Sequence, residues 1–111
     1  MKDWTVYAHH VLDACAKLRR IRERGDPATD DILYDAVLRN LQTLLESTAR
    51  LLEDAKSRHD AIPWRQLTGM RNILVHDHLG EIDPVTVLDV VTNRHDEVED
   101  AVRSMLDEQG N

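Results

Sequence analysis

An apolar repeat that steps alternately by four and three residues constrains this chain more than any other feature. Leu33, Val37, Leu41, Leu44, Thr48, Leu51 and Ala55 follow it. Residues at that spacing share one side of an α-helix but would scatter over both faces of a strand. No Gly or Pro interrupts the run. The spacing therefore predicts one long amphipathic helix, starting at the N-cap candidates and acidic first turn of Thr29, Asp30 and Asp31 and reaching about residue 57.

The same periodicity recurs three times. Trp4, Ala8, Val11, Cys15 and Leu18, widened by Tyr7, Leu12 and Ile21, form a first helix that Gly25-Asp26-Pro27 stops. Ile62-Pro63-Trp64 opens a third, with Pro63 suited to a first turn, and Leu67, Met70, Ile73 and Leu74 continue it to about His76. Gly69 in its middle weakens helix formation by roughly 1 kcal/mol relative to Ala, which predicts that something packs closely there. After a short connector, His78 to Ile82, Asp83-Pro84 reads as an N-cap followed by a first-turn Pro. Leu88, Val91, His95, Val98, Val102 and Met105 then repeat by three and four. The polar tail from Asp107 to Asn111 is expected to fray.

Short connections between four amphipathic helices predict an all-α, up-and-down four-helix bundle, a single domain over residues 1–111. Composition agrees. Aromatic residues make up 4% of the 111 residues, with no Phe, and there are four Gly and three Pro, so the turn-dense, aromatic-rich make-up of a small β-sandwich or barrel is missing. No apolar run approaches the ~20 residues of a membrane span. The start, Met1-Lys2-Asp3-Trp4, lacks the apolar stretch of a signal peptide, so a cytoplasmic location is expected. The single cysteine, Cys15, sits on the apolar stripe of the first helix and reads as a small core residue.

The formal charge of −7 argues against field-driven binding of nucleic acid in general but leaves room for a local basic stripe. Residues 1–24 carry +3, with a basic run from Lys17 to Arg24, whereas residues 95–111 carry −5. The chain is electrically two-ended. Its basic end reads either as a solvated helix terminus or as a track for phosphates or an acidic partner, with Arg19 and Arg20 as candidate contacts.

Chemistry is densest from Gly69 to His78. Arg71 offers a planar, permanently charged fork suited to phosphate, His76 a group that exchanges protons near neutral pH, and Asn72 an amide that can hold a ligand oxygen or fix a neighbour. At 100° per residue, Arg71 and His76 stand about 140° apart on a continuous helix. They converge only if the helix ends before His76 or if a second chain completes the site. The bland alternative makes Arg71 a surface ion pair and His76 a helix C-cap. A metal reading of His76-Asp77-His78 lacks a well-spaced third ligand, His9 and His10 read as surface residues, and His95 reads as a satisfied core or interface histidine.

These residues also carry a family resemblance. Ile62-Pro63-Trp64-Arg65 followed by Gly69-Met70-Arg71-Asn72-Ile73-Leu74-Val75-His76-Asp77 resembles the signature of HepT-like proteins in the HEPN superfamily, which contains an Arg-x4-His ribonuclease motif. Asp35-Ala36-Val37-Leu38-Arg39-Asn40-Leu41, with Glu46 and Arg50-Leu51 after it, is similar to that family's second helix. The resemblance implies a homodimeric, metal-independent endoribonuclease that needs no cofactor and acts as the toxin of a type II/VII-like toxin–antitoxin pair. Its partner would be a nucleotidyltransferase antitoxin of the MntA kind, and its substrate RNA, with tRNA and mRNA as candidates. The catalytic pair falls on Arg71 and His76, with Asn72 and His78 supporting and Arg65 as a further substrate contact. One position departs from the pattern: His78 stands where the family usually has the Tyr that the antitoxin modifies with AMP. That departure keeps open a second reading, a non-catalytic HEPN subunit that docks a nucleotidyltransferase, and a third, a helical dimerisation module.

Overall fold

A computed structural model describes residues 3–76, 89 and 94–110, with the side chains of 73, 75, 76 and 110 outside the description. Every secondary-structure element among the described residues is a helix. α1 spans Trp4–Arg24, α2 Asp31–Thr48, α3 Glu53–Ser57, α4 Trp64–His76 and α5 His95–Gly110. α1 packs against α2 and α5, and α4 lies on α2, so the expected all-helical bundle is present. The start of its last helix at Asp83-Pro84, the connector from His78, and Leu88 and Val91 lie outside the described residues.

The helix ends follow from their caps. The Asp3 carboxylate accepts from the Thr5 amide at 3.2 Å, and Asp30 accepts from the amides of Ile32 and Leu33 at 2.9 and 3.3 Å. Each cap satisfies donors that a helix start leaves free and is worth about 1 kcal/mol. At the other end of α1, the Gly25 amide donates to the Arg22 carbonyl at 3.3 Å. Gly25 has φ +158°, a conformation that L side chains rarely adopt, and a Cβ there would stand 2.9 Å from the tip of the Leu33 side chain, so this turn off α1 favours glycine.

The long second helix is shorter than its apolar stripe. α2 ends at Thr48, and Leu52 is extended before α3 begins. The cause lies in competing donors. Thr48 Oγ1 donates to the Leu45 carbonyl at 2.9 Å, Lys56 Nζ to the Thr48 carbonyl at 3.4 Å, and the amides of Arg50 and Leu51 reach back only three residues, to Ser47 and Thr48. These bonds offer the backbone an alternative to the α-helical ladder. Leu51 and Ala55 nonetheless remain buried at 3% and 0% exposure, so the apolar repeat survives a break in the helix that carries it.

The core joins Val11, Cys15 and Leu18 of α1, Val37, Leu41, Leu44 and Leu45 of α2, Leu67 of α4, and Val98, Val102 and Met105 of α5. Trp64 pins the start of α4: its indole N–H lies 3.1 Å from the carbonyls of both Lys56 and His59. Two further expectations change. Gly69 is exposed, and a Cβ placed there would meet nothing within 4 Å among the described residues, so no close packing explains it. The tail is helical through Gly110, where Glu108 meets Arg58 Nε at 3.2 Å and His59 Nε2 at 3.0 Å. Among the described residues, no helix is long and apolar enough to cross a membrane.

Candidate active site

α4 carries two arginines, Arg65 and Arg71, and no acidic residue, in a chain whose formal charge is −7. Its helix runs unbroken through His76. Positions 71 and 76 therefore stand about 140° apart on one helix. An early helix end, one of the two routes to convergence, is therefore removed.

Arg71 is half-buried. Its Nη1 donates to Asn72 Oδ1 at 3.3 Å, while Nε is buried and has no hydrogen-bond partner among the described residues. No carboxylate pairs with it or with the exposed Arg65 among those residues. A guanidinium that is partly desolvated, turned by a neighbouring amide and without a counter-ion among the described residues suits an anion with two or three acceptor oxygens. His76 closes α4 as its last residue; its side chain and all of His78 lie outside the described residues, as does Asp77.

The two candidate contacts on α1 part company. Arg20 is exposed and unpaired among the described residues. Arg19 is engaged: Nη1 binds Glu99 Oε1 and Nη2 binds Glu99 Oε2 at 3.0 Å, with Asp96 3.7 Å away. The two charged ends of the chain thus meet each other, and part of the basic run serves to dock α5 on α1.

That seam is a polar cluster the sequence reading did not assemble. Its only signal was the i, i+4 spacing of His95, Glu99 and Arg103 opposite a basic helix. Glu99, 6% exposed, also accepts from Arg103 Nη2 at 3.1 Å, and the Cys15 thiol donates to the His95 carbonyl at 3.7 Å. His95 is buried as expected, at 1% exposure, but not satisfied: neither ring nitrogen has a hydrogen-bond partner among the described residues, although Nδ1 lies 3.3 Å from an Asp96 carboxylate oxygen. His95, Asp96 and Glu99 bring ligand atoms within 4.8 Å of one another. Both Glu99 oxygens are taken by guanidinium groups, so a divalent cation would have to displace Arg19 and Arg103.

Burial, and then the nearby Glu99 charge, pushes the Cys15 thiol up to about 12, which makes it an inert core group. Burial also holds His95 below its ordinary 6.5. Hydrogen bonds from Arg19, and then Arg103, hold Glu99 below its ordinary 4.5 against the opposing effect of burial. Both shifts destabilise the fold in acid. The unfolded chain protonates its histidine first, so stability falls as pH drops below about 6.5 toward the folded value. The Glu99 contribution, full above about 4.5, is lost as pH falls through its own folded value. Urea midpoints across this range should fall in two stages. His95→Gln should flatten the first and Glu99→Gln the second; a first stage unchanged in His95→Gln would refute the assignment.

Comparison with known proteins places the chain among ribonuclease-like sequences. The sequence pattern of the Ribonuclease HepT-like family matches residues 11–105. A provisionally named RNase of Caldanaerobacter subterraneus subsp. tengcongensis is 26% identical over 113 residues, covering 98% of this chain and 99% of its own. A second provisionally named RNase, from Methanocaldococcus jannaschii, is 26% identical over 99% of this chain and 96% of its own. A protein named as a probable ribonuclease HepT, from Thermococcus cleftensis, is 38% identical over 56 residues, 46% of this chain and 51% of its own. No solved structure matches the chain.

Proposed function

Since the chain belongs to the HepT-like ribonuclease family of the HEPN superfamily, a membership that supports ribonuclease function, we propose that it is a toxin endoribonuclease acting as a homodimer, with Arg71 and His76 at a cleft between the two copies. The observation that carries this reading is Arg71, half-buried, with Nε unpartnered among the described residues and its fork turned by Asn72. The unbroken α4 supports completion by a second chain.

In this mechanism His76 of one copy takes the proton of a ribose 2′-hydroxyl as its oxygen attacks the adjacent phosphorus. The phosphorus–5′-oxygen bond breaks, and His76 of the other copy, charged, gives its proton to the departing oxygen. Arg71 neutralises the charge that grows on the phosphate oxygens, with Asn72 fixing the guanidinium and Arg65, Arg20 and His78 as further contacts. The products carry 2′,3′-cyclic phosphate and 5′-hydroxyl ends, and no metal takes part. Purified protein given total cellular RNA in EDTA should yield such ends; cleavage that stops in EDTA would refute the metal-free mechanism.

The toxin role implies a nucleotidyltransferase antitoxin of the MntA kind as partner. A second reading, a non-catalytic subunit that docks such a partner, is favoured by His78, because a histidine stands where the family pattern places the modified phenol. Expression alone separates the two: a ribonuclease toxin arrests growth and loses the effect with Arg71 or His76, whereas a docking subunit is tolerated.

A further inference from the structure

Gly25 and Gly69 have opposite explanations. Gly25 is favoured by its backbone, with φ +158°, and by the Leu33 side-chain tip 2.9 Å from where a Cβ would stand. Gly69 is mid-helix and exposed, and nothing within 4 Å among the described residues would meet its Cβ. It weakens α4 relative to alanine without any return that the fold displays.

Its surroundings are chemically specific. Arg65, Gly69 and Asn72 are separated by steps of four and three, so they share one face of α4, and all three are exposed. Asn72 brings the Arg71 guanidinium to the edge of the same face through the 3.3 Å hydrogen bond. Arg65 and Asn72 are separated by about 10 Å along the axis, with bare helix backbone between them. The face offers a cation at one end, an amide and a second cation at the other, and no carboxylate on the helix.

Resting on the ribonuclease reading above, we propose that Gly69 is a positioning residue that lets the sugar–phosphate backbone of RNA lie directly against α4 between Arg65 and the Arg71–Asn72 pair. Charge selects this occupant. With two arginines and no carboxylate on α4, a polyanion is attracted to both ends of this face. The absent side chain admits the strand at van der Waals distance, and any Cβ substituent lifts it away from both guanidinium groups.

The test separates binding from cleavage by using a 2′-O-methyl RNA oligonucleotide, which lacks the attacking hydroxyl. In Gly69→Ala and Gly69→Leu, the melting temperature should be equal to or above that of the wild type, because both residues favour helix over glycine. Affinity for the oligonucleotide should fall, by about tenfold for the leucine, and KM for cleavable RNA should rise with kcat little changed. Unchanged affinity overturns the inference. So does a lowered melting temperature, which would return Gly69 to the fold, or a shift in size-exclusion mass, which would make a second chain the occupant. Wild type that fails to bind the oligonucleotide also overturns it, whereas wild type that binds it but cuts no RNA defeats the ribonuclease reading alone.

Discussion

His76→Ala should reduce RNA cleavage by about 10² to 10⁴, the range typical of a lost general acid or base, and Arg71→Ala by about 10² to 10³, as for a lost donor to a developing oxyanion. Arg71 is not part of the buried apolar core, so the urea midpoint of Arg71→Ala should stay close to wild type. Stoichiometry gives the sharper result. If one cleft uses His76 from both copies, adding an equal amount of His76→Ala chain to wild type and allowing subunit exchange places half of the wild-type chains in mixed dimers. Activity should then drop to about half. Chains that each carried an entire site would lose none, and that outcome would refute the shared cleft. The prediction follows from α4 itself, whose continuous helix separates positions 71 and 76 by about 140°.

Leu41→Ala should have the largest effect on stability. Leu41 is 0% exposed on α2, the helix that packs against both α1 and α4, so the void it leaves cannot be filled by the shift of one neighbour. Removing a buried leucine side chain costs about 2–5 kcal/mol, a large part of the 5–15 kcal/mol that holds a domain of this size together. The chemical-denaturation midpoint should fall with little change in slope. Growth arrest, where expression produces it, should weaken together with the folded fraction rather than with kcat. A loss below about 1 kcal/mol would place Leu41 outside the tightly packed centre.

Much of the fold was legible because the apolar stripes are long and uninterrupted. Ala8, Val11, Cys15, Leu18, Val37, Leu41 and Leu44 were expected inside and are buried. The break after Thr48 was not legible, and the reason is physical: Leu51 and Ala55 stay in the core on either side of the extended Leu52. Burial pattern reports which residues face inward, not whether the hydrogen-bond ladder beneath them is continuous. Gly69 misled because a glycine signals a close approach without saying from which side. The tail misled because Asp107 to Gly110 are polar, and Glu108 among them meets Arg58 and His59, about fifty residues away in sequence. Arg71, Asn72 and Arg65 could be chosen from local sequence, whereas the engagement of Arg19 with Glu99 depends on which helices become neighbours. The candidate site's described residues lie on one helix, α4.

The cysteine buried between α1 and α5 gives the molecule a built-in reporter. Cys15 is the chain's single thiol, fully covered, bonded to the His95 carbonyl and pushed up to about 12. An aromatic disulfide reagent therefore reacts only when that seam opens. The ratio of its rate on the native chain to its rate on the unfolded chain measures the opening equilibrium directly. Followed with and without RNA, or with and without a partner protein, that single colour change would tell whether binding tightens the joint between the two oppositely charged helices, with no label added and no residue altered.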